Sequence, residues 1–168
     1  MRNKLMLLIS FVLLAILVGC ENSETLEVNS TFALPVTLSD GTDGEYLLLG
    51  KEGKIGFLVG TGKKGEAVAE PIIANQANKY MWHLWGNPEI ISGDFKIVGT
   101  DAKGKEQPVL LMDNETVWQY SDISISPNNG ADSHIPSQML FPTSGIWKLA
   151  VYFDEELFDE LVINVQDF

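Results

Sequence analysis

The sequence predicts an all-β fold, a two-sheet antiparallel sandwich. Short apolar runs bounded by Gly, Asp, Asn and Pro recur along the chain, as strands separated by turns do. Between Trp147 and Phe153, large apolar residues occupy every second position, which is the period of a strand with one buried face. Helix signals are confined to residues 70–78, so short strands dominate and favour a sandwich over a barrel or an α/β fold.

Each element follows from an apolar run and the turn residues beside it. Pro71 near the start of residues 70–78, followed by Ile72 and Ile73, predicts one short helix. The alternating run before Phe153 and a second one at 161–166 flank an acidic turn, which predicts a closing antiparallel hairpin. The predicted strands are 32–38, 46–49, 55–60, 80–85, 94–100, 109–112, 117–125, 146–153 and 161–166.

The N-terminus has the pattern of an export signal. Arg2 and Lys4 precede an apolar run at 5–18, which is shorter than the roughly 20 residues that a membrane-spanning helix needs. The end of this run, Leu-Val-Gly-Cys, resembles the lipobox of bacterial lipoproteins, which implies cleavage before Cys20 and a diacylglyceryl group on its thiol. An ordinary secretory signal with a chance cysteine is the alternative.

The predicted organisation therefore has three parts. Residues 1–19 form a lipoprotein signal peptide, and residues 20–31 form the lipidated Cys20 with a flexible polar tether. Residues 32–168 form one β-sandwich domain. This organisation places the domain on the extracytoplasmic face of the cell membrane, held there by the N-terminal lipid.

Charge and cysteine content narrow the possible functions. The chain has 23 acidic and 11 basic residues, a formal charge of −12. Residues 1–19 hold two of the basic residues and none of the acidic ones, so the remainder carries −14. This charge argues against nucleic-acid binding and against adsorption on anionic lipid, because both depend on Lys and Arg. Cys20 is the single cysteine, which excludes disulfides and thiolate metal sites within the domain.

Three segments resemble an uncharacterised family of exported lipoproteins from Bacillus-type bacteria. They are Asn-Lys-Tyr-Met-Trp-His-Leu-Trp-Gly at 78–86, Ser-Pro-Asn-Asn-Gly-Ala-Asp-Ser-His at 126–134 and Ser-Gly-Ile-Trp-Lys-Leu at 144–149. The resemblance extends from about residue 32 to the C-terminus. It implies an immunoglobulin-like sandwich on the cell surface and implies no activity or binding residue.

The aromatic segment 80–85 and the stretch 126–145 hold the candidate site residues. In a strand, Tyr80, Trp82 and Leu84 point to one face and Met81, His83 and Trp85 to the other. One interpretation is that both faces are structural, and the other is that the second face binds a partner. The stretch 126–145 has weak periodicity and three prolines, and it predicts a long loop of turn formers or a ligand loop. If this loop folds over the end of the aromatic strand, one binding site forms from His83, Trp85, Asn128, Asn129, Asp132 and His134.

Three functional hypotheses remain. The first is a non-enzymatic binding or accessory module for an envelope protein or small ligand, with no cofactor, because the sequence has no Gly-x-Ser-x-Gly, His-Glu-x-x-His or Ser-x-x-Lys motif and no phosphate-binding Gly loop. The second is copper handling, since thioether and imidazole ligands suit copper where no thiol is available. Its candidate ligands are Met81, His83, Met112, His134 and Met139. The third is inhibition of an extracellular protease through the long loop. Calcium is not favoured, because no segment has the spacing of a calcium loop.

Overall fold

The computed structural model describes residues 26–168 and confirms an all-β sandwich. The predicted signal peptide and Cys20 lie outside the described residues. Within residues 26–168, no helix is long and apolar enough to cross a membrane. The strands of the described chain are β1 Thr31–Thr37, β2 Asp43–Lys51, β3 Ile55–Lys63, β4 Ile72–Ile73, β5 Asn78–Leu84, β6 Phe95–Thr100, β7 Glu106–Pro108, β8 Leu110–Met112, β9 Glu115–Val117, β10 Gln119–Tyr120, β11 Ser126–Asn128, β12 Ala131–Met139, β13 Gly145–Phe153 and β14 Glu156–Gln166.

The strands form two sheets. Sheet 1 has the order β1-β2-β3-β5-β12-β8-β9, with β11 also paired to β12. Sheet 2 has the order β10-β6-β13-β14-β4, with β7 also paired to β6. All pairs are antiparallel except the parallel pair of β14 and β4. The predicted closing hairpin is confirmed, because β13 and β14 pair along their whole length.

The core lies between the inner faces of the two sheets. Trp82 of sheet 1 and Trp147 of sheet 2 are both fully buried in it. Each indole N–H has an acceptor: Trp82 Nε1 donates to Ser137 Oγ at 3.0 Å, and Trp147 Nε1 donates to the Thr143 carbonyl at 2.9 Å. Burial of such large side chains supplies much of the stabilisation of the fold, and the two hydrogen bonds remove the cost of burying the indole N–H groups.

The predicted helix at residues 70–78 is wrong. Ile72 and Ile73 form strand β4, which pairs in parallel with the end of β14. Ile72 is buried in the core, and Asn75 has a left-handed φ of 60° that turns the chain towards β5. The apolar pair therefore completes the edge of sheet 2, and this tertiary contact overrides a weak local helix signal.

The predicted long loop at residues 126–145 is also wrong. Its centre is strand β12, a nine-residue interior strand of sheet 1 in which every second residue from Ala131 to Met139 is buried. The alternation was hidden in the sequence because Ser133 and Ser137 occupy two of the inward positions. The turn at Asn129 and Gly130 has φ values of 48° and 82° and joins β11 to β12.

The predicted strand 117–125 and the predicted tether also differ from their predicted forms. The predicted strand 117–125 is represented by the end of β9 and by β10, so it connects the two sheets. The end of the predicted tether contacts the domain. Asn29 N donates to the Val162 carbonyl at 2.8 Å, and Val162 N donates to Asn29 Oδ1 at 2.7 Å.

Candidate functional site

The outer face of sheet 1 carries the candidate residues of the aromatic strand. The inward side chains of β5 are Tyr80, Trp82 and Leu84, which belong to the core, as predicted. The alternate side chains, Met81 and His83, therefore point to the outer face of the sheet, and Trp85 follows on the same side.

A set of hydrogen bonds fixes the end of β5 against the β11–β12 turn. Trp85 Nε1 donates to the Gly130 carbonyl at 2.8 Å, and Gly86 N donates to Asp132 Oδ2 at 2.8 Å. Asn128 and Asn129 form part of the same turn, and Asn128 pairs with Ala131. The predicted residues of this turn and of the strand end therefore come close together. The indole N–H of Trp85 and one carboxylate oxygen of Asp132, however, already form hydrogen bonds to other groups of the protein.

His83 lies on the outer face of sheet 1 yet is fully buried. Aromatic side chains enclose it: the ring centroids of Tyr46 and Trp85 are 6.2 and 6.4 Å from the centroid of its imidazole. Its partner on β3 is Gly56, and a Cβ there would lie 3.0 Å from the Phe32 ring. Glycine at this position therefore allows Phe32 to lie over the sheet, where it also contacts Trp85 at a centroid distance of 6.2 Å.

His134 is the direct partner of His83 on the neighbouring strand β12. His134 Nδ1 lies 2.7 Å from the Ser126 carbonyl, and His83 Nδ1 lies 3.3 Å from the Met81 carbonyl. A carbonyl only accepts hydrogen bonds, so Nδ1 carries a proton in both rings. His83 Nε2 is buried and has no hydrogen-bond partner among residues 26–168. Burial lowers the pKa of His83 below its usual value; the hydrogen bond to the Met81 carbonyl opposes this shift, and the neighbouring His134 adds to it.

The five candidate copper ligands do not come together. Met139 is fully buried in the core, on the inward face of β12. Met112 is half exposed on the β8–β9 hairpin. Met81, His83 and His134 remain on the outer face of the paired strands β5 and β12. Among residues 26–168, no three side chains of the types His, Cys, Asp and Glu are grouped closely enough to hold a metal ion.

An apolar groove of about 640 Å³ lies on sheet 1, beside the histidine pair, and the sequence did not predict it. Its walls come from β3, β5, β12 and the β8–β9 hairpin, with Tyr120 of β10 at one side. Lys79 and Gln138 supply polar groups. The apolar residues that line it are Leu58, Met81, Leu111, Met112 and Pro136.

The groove lies beside a gap in the hydrogen-bonding of sheet 1. One edge of β12 pairs with β11 at its start and with β8 at Met139, and Pro136 lies between these two pairings. Proline has no N–H to offer a further strand. Tyr120 spans the gap: its hydroxyl accepts from Gln138 N at 3.2 Å and lies 2.8 Å from the Leu111 carbonyl, to which it donates.

The fold and this face define the molecule as a β-sandwich domain with an open apolar groove on one sheet. The chain belongs to the family described as "Domain of unknown function (DUF4871)", whose model matches residues 41–163. The chain is also similar to a crystal structure described as that of a "putative lipoprotein" from Bacillus anthracis. The two share 26% sequence identity with a TM-score of 0.60, over 83% of this chain and 86% of the other. No curated protein matches the chain significantly.

Proposed function

We propose that this protein is a lipoprotein anchored through Cys20 to the extracytoplasmic face of the membrane, where it binds an envelope protein without catalysing a reaction. The lipobox-like residues before Cys20 support the anchor, as does the similarity to a structure described as a lipoprotein. The apolar groove on sheet 1 is the observation that carries the binding role, because concave apolar surfaces with a few polar groups are typical binding sites.

The groove suits an apolar segment of a protein partner. Met81 and Met112 contribute flexible thioether side chains, which adapt to irregular apolar surfaces. Met112 is 51% exposed, so its side chain is available to a partner without any rearrangement of the core. Lys79 and Gln138 provide polar groups that would fix the orientation of a bound segment. The acidic charge of the chain as a whole favours a partner with basic residues around the apolar segment.

Photocrosslinking in intact cells tests this proposal. A photoreactive amino acid replaces Met112 in the full-length protein, and crosslinked proteins are identified by mass spectrometry. Leu157 provides a matched control, because it is 52% exposed and pairs with Tyr152 on sheet 2. We expect one or a few envelope proteins to crosslink at position 112 and not at position 157. Equal crosslinking from both positions, or none from position 112, would contradict the proposal.

A charge substitution gives a second, independent measurement. Met112→Glu introduces a carboxylate into the groove, and Leu157→Glu introduces the same group at the control position. We expect the first variant to lose most of the partner recovered with the full-length protein, and the second to retain it.

Protease inhibition is not proposed, because the long loop on which that hypothesis depended contains strand β12 in the described chain.

A further inference from the structure

Hydrogen bonds to both sheets hold the chain just before β1. Asn29 N donates to the Val162 carbonyl at 2.8 Å and Asn29 Oδ1 accepts from Val162 N at 2.7 Å, which attaches this residue to sheet 2. Gly50 N donates to the Ser30 carbonyl at 3.2 Å, which attaches the next residue to sheet 1. The connection between Cys20 and this attachment therefore spans nine residue steps, from position 20 to position 29.

The groove lies farther along the strands than this attachment. A row of paired residues crosses sheet 1 from Gly50, through the neighbouring residue of β3, to His83 of β5. The groove residues Met81 and Lys79 come two and four residues before His83, on the side of the row towards which β1 runs, because three antiparallel pairings make β5 opposite in direction to β1. Strands rise about 3.3–3.4 Å per residue, so these two residues lie about 7 and 13 Å beyond the row.

Covalent geometry limits the height of the groove above a membrane that holds Cys20. An extended chain advances about 3.3–3.6 Å per residue, so nine residue steps span at most about 30–32 Å. One further residue to the row and the distance along β5 bring the upper limit for the groove to about 50 Å. This limit is less than two small domains of about 30 Å each. A bound segment of the partner therefore lies close to the same membrane.

Given the anchor and the binding groove of the proposed function, we propose that the groove receives an apolar extracytoplasmic segment of an integral membrane protein in the same membrane. Such a protein holds its segments at a fixed height, and the lipid on Cys20 holds the groove in the same layer. Confinement of both partners raises their effective concentration without any additional contact. The formal charge of −12 argues against the lipid surface itself as the occupant, because anionic headgroups attract Lys and Arg.

Spacers inserted between Glu24 and Thr25 test this height requirement in the full chain. A spacer of about 25 residues, made of Glu-Ala-Ala-Ala-Lys repeats, is semi-rigid and adds up to about 38 Å where it is helical. A Gly/Ser spacer of the same length is the matched control, because it is flexible and allows the domain to approach the membrane. Photocrosslinking from position 112 in intact cells is compared among these two proteins and the chain without a spacer, at equal amounts in the membrane fraction.

We expect the crosslinked partner to contain membrane-spanning segments, the helical spacer to lose most of the crosslink and the Gly/Ser spacer to retain most of it. Three results would overturn the membrane-protein assignment and leave the proposed function standing. They are undiminished crosslinking with the helical spacer, equal loss with both spacers, and a partner without a membrane-spanning segment. No crosslink from position 112 in the chain without a spacer would overturn both.

Discussion

Ser137→Ala removes the hydroxyl that accepts the hydrogen bond of the buried Trp82 indole. The bond is 3.0 Å long, Trp82 is 0% exposed and Ser137 is 7% exposed, so water does not replace the lost acceptor. An unsatisfied buried donor costs about 1–3 kcal/mol. For a protein of this size, each kcal/mol corresponds to about 2–4 °C in Tm. We therefore expect the free energy of unfolding to fall by about 1–3 kcal/mol, measured by urea denaturation and checked by thermal melting.

Ser133→Ala is the matched control for this prediction. Ser133 lies four residues earlier on the same inward face of β12 and is 1% exposed, but its hydroxyl has no hydrogen-bond partner within the described part of the chain. Removing a buried, unpartnered hydroxyl leaves stability unchanged or raises it by about 1 kcal/mol. A double-mutant cycle with Trp82→Phe should show coupling to Ser137 and none to Ser133. Equal destabilisation by the two alanine substitutions would refute the reasoning.

Three further predictions concern other parts of the sandwich. Burial lowers the pKa of His83 in the folded protein, so this residue binds a proton more readily in the unfolded chain. The free energy of unfolding should therefore fall as the pH drops below about 6.5, until the pKa of His83 in the folded protein is reached. Urea unfolding at several pH values should show a slope of at most about 1.4 kcal/mol per pH unit from this group, which His83→Gln should remove. Gly99→Ala should cost about 1–3 kcal/mol in chemical denaturation, because the added Cβ would lie 2.5 Å from Val109 Cγ1, and an unchanged midpoint would contradict this contact. Asp132→Ala should lower stability by about 0.5–1.5 kcal/mol through loss of the bond from Gly86 N, and unaltered thermal melting would show that the bond contributes nothing.

Local sequence patterns predicted the elements whose alternation is uninterrupted. The closing hairpin was predicted correctly because large apolar residues fill the inward positions from Trp147 to Phe153. Strand β12 was missed because Ser133 and Ser137 stand at inward positions, where a local pattern indicates a loop. Only the three-dimensional fold brings the Trp82 indole to Ser137 and makes a polar residue suitable there. Local periodicity does not contain this information.

The candidate site was predicted in part. The alternation of β5 correctly placed His83 and Trp85 away from the core side of the strand, and the turn beside Gly130 does meet the end of that strand. The groove was not predicted, because it depends on residues brought together by the tertiary fold. Tyr120 and Gln138, for example, are 18 positions apart and meet through one hydroxyl group. Neither residue carries a signal for this contact in its neighbouring sequence.

The pairing of β5 with β12 also has a consequence for folding kinetics. The strands of the β13–β14 hairpin are adjacent in the chain, whereas the Trp82–Ser137 contact between β5 and β12 closes a loop of 55 residues. Contacts between distant segments form more slowly, because the entropy of loop closure is lost before the contact contributes stability. We expect the hairpin to form early and the β5–β12 pairing late. The face that carries the histidine pair and the groove would then be completed only when folding of the domain is nearly finished.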